Sequence, residues 1–250
     1  MTLFYFTADN SIQFETLQSC GIKNISVSYK FVKKNLKQLS NKFESIILNP
    51  GSGKRKFEAQ EYHDFVKSNK ENYSLAMQYD QPGEIRRTMS YYHMALEDNI
   101  DWVVPILHED YFVALNYIRP ILRTNVLALG QGSSKLEEDE NLQKLPAGIY
   151  HGLAKARWLE NRDISSIDSS TWLSGVRNGK VQLMFQDGVH EVFLNELNEI
   201  QRSMELNKEF VDFGINDIQS KDHRSILKLS LSCHYKPLFK RLQIYEKNIG

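Results

Sequence analysis

The chain has 250 residues, of which 41% are hydrophobic and 25% are charged. It has no Pro/Gly-rich or low-complexity stretch, so the composition predicts one large folded domain or two small ones with a sizeable core. Lysine plus arginine equals aspartate plus glutamate at 31 each. The overall charge therefore does not indicate a nucleic-acid-binding protein, and contact with a polyanion would need a local basic patch.

The cysteines and the N-terminus exclude several classes of protein. Cys20 and Cys233 lack CxxC or Cys/His spacing, which argues against a disulfide framework and a structural zinc site. We therefore expect no metal and no cofactor. The N-terminus lacks the basic residues of a signal peptide, and no apolar run approaches the length of a membrane span. From these features we expect a cytoplasmic protein without a membrane partner.

Short apolar runs rich in β-forming residues recur along the first two thirds of the chain. They span Leu3–Thr7, Asn24–Tyr29, Ser45–Leu48, Ser74–Gln78, Asp101–Leu107, Asn125–Leu129, Ala147–Tyr150 and Ser165–Ile167. Helical spacing connects several of them, at Phe57–Asn69, Gln81–Asp98 and Asp110–Leu122, where Pro120 should disturb the last turn. Alternating strands and helices predict an α/β fold with a parallel sheet, and eight units favour a (β/α)8 TIM barrel.

The pattern changes after the eighth run. Lys180–Phe185 and Val189–Phe193 flank Gln186-Asp187-Gly188, which predicts a hairpin. Beyond it, Asn195–Phe210 and Ile226–Tyr245 have helical spacing, with Asp212–Arg224 as a surface loop between them. We predict a barrel domain over residues 1–180 and an extension of a hairpin plus helices, residues 181–250, that packs on the barrel.

The residues that follow the predicted strands are polar and rich in glycine. TIM-barrel active sites lie at this C-terminal end of the strands. The residues there are Asn49-Pro-Gly-Ser-Gly53, Gln78-Tyr-Asp80, His108-Glu-Asp110, Gly130-Gln-Gly132, His151-Gly152 and Asp168. Asp168 ends the eighth strand, where a carboxylate is well placed to attack an anomeric carbon.

The order of these motifs resembles a known family over roughly residues 40–185. The motifs are Ile46-Ile-Leu-Asn-Pro-Gly-Ser-Gly53, Tyr62-His-Asp-Phe-Val-Lys67, Gln78-Tyr-Asp80, Pro105-Ile-Leu-His108, Ala128-Leu-Gly-Gln-Gly132, Tyr150-His-Gly-Leu153 and Ile167-Asp-Ser-Ser-Thr-Trp172. In sequence and spacing they resemble the queuine/archaeosine tRNA-guanine transglycosylase superfamily, nearest to the phage and bacterial branch that places 7-deazaguanines in DNA. No single motif is diagnostic, and the resemblance lies in their collinearity.

The resemblance implies a TIM barrel that exchanges a guanine by double displacement, and it implies a role for individual residues. Asp168 matches the nucleophile, and Asp80 matches the aspartate that binds the donor edge of a guanine. His108 lies where a polar residue reads the base, and Gly130 and Gln131 match a loop whose backbone approaches it. The resemblance further places Arg177, in Val176-Arg-Asn-Gly179, where it could hold a phosphate.

The chain departs from the family pattern at the end of the third strand. The family typically has Asp-Ser-Gly there, whereas this chain has Asn49-Pro50-Gly51, which removes the carboxylate usually assigned as general acid/base. An amide cannot move that proton. Exchange would then be slow, would use His108 or His151 for proton transfer, or would be lost in favour of binding. The zinc-binding Cys/His cluster of the tRNA enzymes also has no counterpart.

Each of these residues also has a purely structural interpretation. Asp168 would be the cap of a following helix, Asn49 and Asp80 would be turn residues, and His108 would precede an acidic helix cap. Lys54, Arg55 and Lys56 would contact a nucleic-acid backbone or form a solvated loop. A phosphate-binding P-loop is excluded because Leu48 occupies the position of its first glycine. A solvated face is the more common explanation for a helix-like stretch such as the one that carries Lys30, Lys33, Lys34 and Lys37.

The motifs and the resemblance lead to three alternative hypotheses about function. The first is a transglycosylase-like protein that exchanges guanine for a 7-deazaguanine in DNA, or in RNA. The second is a barrel that binds a nucleobase, a nucleotide or a partner protein without catalysis. The third is a glycosidase in which water intercepts the covalent intermediate. The sequence does not determine the oligomeric state.

Overall fold

The computed structural model describes residues 3–51, 58–81, 84–130, 134–154, 158, 163–185, 188–193, 224–228, 230 and 231. The strands are β1 (Leu3–Ala8), β2 (Asn24–Ser28), β3 (Ser45–Asn49), β4 (Leu75–Ala76), β5 (Ile106–Leu107), β6 (Val126–Leu129), β7 (Ile149–Gly152), β8 (Ile164–Ser169), β9 (Lys180–Phe185) and β10 (Gly188–Phe193). The α-helices are α1 (Ser11–Ser19), α2 (Tyr29–Val32), α3 (Leu36–Ser40), α4 (Ala59–Ser68), α5 (Ile85–Glu97), α6 (Tyr111–Ile118), α7 (Lys135–Lys144) and α8 (Ser174–Asn178). Short 3-10 helices span Lys70–Asn72, Arg119–Ile121 and Thr171–Leu173.

The first eight strands form one sheet in which every pair is parallel. The strand order is β4-β3-β2-β1-β8-β7-β6-β5, so β1 to β4 lie side by side in sequence order, β5 to β8 do the same, and β1 lies beside β8. Because all strands run the same way, their C-terminal ends share one edge of the sheet. This confirms the predicted α/β fold with an eight-stranded parallel sheet.

The sheet is curled around a shared core. One buried cluster joins side chains from strands at both ends of the strand order, and its members are Tyr5, Ile47, Met77, Val104, Ile106 and Ala128. Residues just beyond β4 and before β5 also pair, since Met77 and Val104 form a parallel bridge. The Gln78 N–H donates to the Val104 carbonyl at 2.9 Å, and the Val104 N–H donates to the Ala76 carbonyl at 2.8 Å.

Helices cover the outer face of the sheet, as α4 illustrates. Its Tyr62 is fully buried, and the Tyr62 hydroxyl donates to the Met77 carbonyl at 2.8 Å. The Tyr62 ring meets the edge of Tyr29, from the start of α2, at 5.6 Å between centroids. Aromatic packing of this kind adds about 0.5–1.5 kcal/mol to area burial.

The predicted helices are present with shorter bounds. Phe57–Asn69 corresponds to α4, Gln81–Asp98 to α5 and Asp110–Leu122 to α6. Pro120 lies in the 3-10 helix that follows α6, which confirms that it disturbs the last turn. The predicted strand Asp101–Leu107 is shorter than expected, because residues 101 and 102 form a turn.

The chain divides into two compact units, of which the larger comprises residues 2–9 and 23–169 and contains the parallel sheet. The smaller comprises residue 1, residues 10–22 and residues 170–250. In the smaller unit β9 and β10 pair antiparallel with Gly188 opposite Phe185, and Arg224 forms an ion pair with Glu15. The division predicted at residue 180 remains a prediction.

Part of the predicted extension lies outside the described residues. These parts are the turn residues Gln186 and Asp187, the helix Asn195–Phe210, nearly all of Asp212–Arg224 and, in the predicted helix Ile226–Tyr245, residue 229 and residues 232–245. Residues 224–228 are helical, as are 230 and 231, within the predicted helix Ile226–Tyr245 and just before it. None of the helices in the described part of the chain is long and apolar enough to cross a membrane.

Candidate functional site

Asp168 lies near the C-terminal end of β8 with its carboxylate buried. Asp168 Oδ2 accepts a hydrogen bond from the Ser26 hydroxyl at 2.8 Å, and Oδ1 accepts one from the Ala154 backbone N–H at 2.6 Å. Both oxygens of this buried carboxylate are therefore hydrogen-bonded. The carboxylate is thus engaged by the strand ends of its own unit, which favours the interpretation as a site residue over that as a helix cap.

The second of these donors has a strained backbone. Ala154 has φ +54°, in the left-handed region that residues with a Cβ seldom adopt. Its N–H is the group that donates to Asp168, so the strain is located where the chain contacts the carboxylate. Strain of this type persists only where the surrounding structure enforces it, and it is concentrated at functional sites.

Asn49 ends β3 and connects a turn to this carboxylate. Asn49 Oδ1 accepts from the Gly51 N–H at 2.9 Å, so the predicted turn role of Asn49 is confirmed. Asn49 Nδ2 donates to the Ser26 hydroxyl oxygen at 3.1 Å, and Ser26 in turn donates to Asp168. The amide at position 49 therefore supports the carboxylate through one serine and does not contact it in this network.

Asp80 and His108 form a second, buried pair. His108 Nε2 and Asp80 Oδ2 are 2.9 Å apart, and both side chains are almost fully buried. The acidic helix cap expected just after His108 is confirmed, because the Asp110 side chain accepts from the Val113 N–H at 3.0 Å and caps α6. His108 is therefore paired with the predicted base-reading carboxylate, while Asp110 makes the cap.

Gly130 is required by the position of the His108 ring. A Cβ at Gly130 would lie 2.4 Å from both Cε1 and Nδ1 of His108. The Gly130 carbonyl also accepts from the Tyr111 hydroxyl at 2.9 Å, which fixes the peptide. The resemblance predicts that the backbone at this glycine lies close to a base. In this structure it lies close to the His108 imidazole.

His151 is fully buried on β7, directly opposite Ser166 of β8 in the parallel register. His151 Nδ1 and the Ser166 hydroxyl are 2.8 Å apart, whereas Nε2 has no hydrogen-bond partner among the described residues. Burial lowers the pKa of His151, and the negative charge of Asp168 opposes this shift. The imidazole is therefore neutral near pH 7, with one unsatisfied nitrogen.

The structure places the predicted residues as follows. Asn49 and Asp168 share one hydrogen-bond network, Asp80 and His108 share another, and Gly130 packs against His108. Arg177 lies on α8 of the smaller unit and is exposed. Gln131, Lys54, Arg55 and Lys56 lie outside the described residues, so their roles remain predictions. In the part of the chain described, no group of three or more His, Cys, Asp or Glu side chains is arranged to hold a metal ion.

The sequence patterns did not indicate three residues that contact Asp168 or His151, namely Ser26, Ala154 and Ser166. A signal for Ser26 exists, because Asn24, Ser26 and Ser28 alternate with Ile25 and Val27 along β2. Such alternation places the polar residues on one face of the strand, here beside the polar ends of β3 and β8. The contribution of Ala154 comes from its backbone, so no side-chain pattern could have indicated it.

Comparisons with known proteins do not extend this description. Neither a scan against protein-family models nor a search of curated proteins finds a match to this chain. Function is therefore inferred from the fold, from the motif order and from the geometry of these two networks.

Proposed function

We propose that the chain is a transglycosylase-like protein that exchanges guanine for a 7-deazaguanine base in DNA, with RNA as the second choice of polymer. The proposal includes closure of the sheet into a (β/α)8 barrel. Closure is supported by the bridge between Met77 and Val104, because these residues adjoin the two strands at the ends of the strand order. In a closed barrel all eight C-terminal strand ends surround one mouth.

The observation that carries the proposal is the engaged, buried carboxylate of Asp168. Its two donors, Ser26 and Ala154, hold its two oxygens in place at the C-terminal end of β8, where a carboxylate nucleophile would have to lie. One of these donors, Ala154, is held in the left-handed region, and backbone strain of this type is concentrated at functional sites.

The reaction follows from this placement. An Asp168 oxygen forms a bond to C1′ of the target nucleotide while the C1′–N9 bond breaks, and the bonding pair leaves with guanine, which takes up a proton. The incoming deazaguanine loses its N9 proton and attacks C1′, and the Asp168 carboxylate departs with its electron pair. The two steps resemble a retaining glycosidase in which a base replaces water. A target in a duplex would first have to leave the base stack.

Proton transfer is the step that Asn49 cannot perform. His151 is the better supported replacement, because it is neutral and has one ring nitrogen without a partner among the described residues. Its strand neighbour Ser166 lies two residues before Asp168, so the imidazole and the carboxylate occupy adjacent layers of the same face. Asp80, with His108, would read the donor edge of the base.

Base exchange itself tests the proposal. Single-stranded DNA and tRNA that contain guanine are incubated with the protein and isotope-labelled 7-deazaguanine bases, and incorporation is measured by mass spectrometry. We expect incorporation by the wild-type chain, none by Asp168→Asn, and a faster rate for Asn49→Asp. Asp64→Asn is the matched control because it changes an exposed carboxylate on α4. Absence of incorporation at every base tested would contradict the proposal.

A second function, binding without catalysis, is favoured by the geometry of Asn49. Both ends of its amide are engaged, by Gly51 and by Ser26, as in a residue selected for structure. Calorimetry separates the two functions. Tight binding of guanine derivatives without turnover, unchanged in Asn49→Asp, would support the binder, while release of free base without incorporation would indicate a glycosidase.

A further inference from the structure

The segment that follows β2 is basic although the chain as a whole is neutral. Residues 24–43 contain five lysines, Lys30, Lys33, Lys34, Lys37 and Lys42, and no aspartate or glutamate. A solvated helix face usually mixes charges of both signs, and this segment has one sign only. A local basic patch is the feature that a neutral chain needs in order to contact a polyanion.

The patch lies at the functional edge of the sheet. We define it as residues 30–37, which begin two residues after the C-terminal end of β2 at Ser28. Ser28 pairs in register with Asn49, and the same strand carries the Ser26 hydroxyl that binds Asp168. The patch therefore lies just after β2, the strand that supports the proposed nucleophile.

The base of the patch is anchored and its outer residues are exposed. Tyr29 and Lys33 both bind the Glu61 carboxylate, at the first turn of α4. Lys30, Lys34 and Lys37 are exposed and have no ion-pair partner among the residues that the structure describes. Three lysine charges on this segment are therefore uncompensated by described carboxylates.

An aromatic ring is exposed within the patch. The Phe31 side chain is 43% exposed, and Lys30 Nζ lies 5.4 Å from the centroid of the Phe31 ring. An accessible aromatic face beside lysines is the arrangement that single-stranded nucleic-acid-binding proteins use, in which a base stacks on the ring and cations hold the backbone.

We propose that this patch binds single-stranded nucleic acid, with Phe31 stacking on a base that flanks the target nucleotide and with Lys30 and Lys34 contacting phosphates. The inference rests on the proposed function, since it supplies that reaction with its polymer-binding surface. A binding measurement tests the inference, and binding does not require the base-exchange reaction.

The test measures the affinity of fluorescent single-stranded DNA and RNA of one sequence by anisotropy, between 50 and 200 mM salt, a range over which phosphate contacts dominate. The slope of log affinity against log salt is negative, and each lost phosphate contact reduces its magnitude by about 0.7. Lys30→Ala/Lys34→Ala should therefore reduce the magnitude by about 1.4. Phe31→Ala should weaken binding about tenfold with the slope unchanged, because it removes stacking and no charge.

The matched control is Lys23→Ala/Lys42→Ala, which removes two lysines that precede β2 and β3 at the opposite edge of the sheet. It should leave the slope at the wild-type value. A slope change equal to that of Lys30→Ala/Lys34→Ala, or wild-type affinity in Phe31→Ala, would overturn the inference. Urea unfolding verifies that these surface variants are folded.

The outcome separates the two proposals. Binding with the expected slopes but without base exchange would overturn the proposed function and leave the patch as a nucleic-acid-binding surface. Base exchange that is unaffected by Phe31→Ala and Lys30→Ala/Lys34→Ala would overturn the patch and leave the proposed function. The DNA and RNA arms identify the polymer.

Discussion

The Ser26 hydroxyl donates a hydrogen bond to Asp168 Oδ2 at 2.8 Å, although the two residues are 142 positions apart in the chain. The contact exists because β2 and β8 both pair with β1. The same hydroxyl oxygen accepts from Asn49 at 3.1 Å, so one serine of β2 connects the C-terminal ends of β3 and β8.

Replacement of Ser26 by alanine should destabilise the protein and its site together. Ser26→Ala leaves the buried carboxylate of Asp168 with one donor fewer, which costs about 1–3 kcal/mol. We expect a lower free energy of unfolding in urea and slower base exchange. Ser28→Ala is the control, because Ser28 is buried on the same strand and outside this network. Equal losses in the two variants would show that the bond to Asp168 contributes nothing specific.

Gly130→Ala should disrupt the contact between Asp80 and His108. The new methyl would lie 2.4 Å from the His108 ring, so the ring must move and its contact with Asp80 must lengthen. Overpacking of this kind typically costs about 1–3 kcal/mol. The coupling between the two positions is measured by a double-mutant cycle. It compares the unfolding free energies of the wild type, Gly130→Ala, His108→Ala and the double variant.

The cycle has a definite expected sign. In the His108→Ala background the ring is missing, so Gly130→Ala should cost much less than it does in the wild type. Additive losses would mean that the clash with His108 is not the cause.

The stability of the protein should fall in acid partly through His151. Burial holds the folded-state pKa of His151 below its ordinary value of 6.5. As the pH falls through about 6.5 the unfolded chain therefore binds a proton before the folded protein does, and stability is lost until the folded-state pKa is reached.

His151→Gln should remove this contribution. The difference in unfolding free energy between pH 7.5 and pH 5 should be smaller in His151→Gln than in the wild type. His93→Gln is the control, because His93 is an exposed histidine on α5. A wild-type pH dependence in His151→Gln would show that His151 does not titrate as its burial requires.

Ala154 should accept glycine but not valine. Glycine adopts a φ of +54° without strain, which offsets its greater chain entropy, and it keeps the N–H that donates to Asp168. Ala154→Gly should therefore be within about 1 kcal/mol of the wild type and keep its activity, whereas Ala154→Val should lose more. Urea unfolding measures both, and the reverse order of stability would exclude the left-handed conformation.

The strands could be predicted well because each is a short apolar run that ends at a polar or glycine residue. β2, β3 and β6 lie within about a residue of their predicted bounds at each end. The helix α7, with the sequence KLEEDENLQK, was missed because its apolar residues are too few for a periodic stripe. Its cap was a usable signal, since Ser134 accepts from the Glu137 N–H in the Ser-x-x-Glu pattern.

The site could be predicted only in part, for a physical reason. Residue type and strand position located Asp168, Asp80, His108 and Asn49, because parallel strand ends share an edge. The pairings depend on rotamers and register, so the sequence could not indicate that His108 pairs with Asp80 or that Ser26 bridges Asn49 and Asp168.

The most direct test of the account is a trapped covalent intermediate. The protein is incubated with guanine-containing DNA without any incoming base, denatured and digested, and its peptides are measured by mass spectrometry. We predict a nucleotide adduct on the peptide that contains Asp168, absent from Asp168→Asn and retained in Asp64→Asn. An adduct on another residue, or none while free guanine is released, would contradict the claim that Asp168 is the nucleophile.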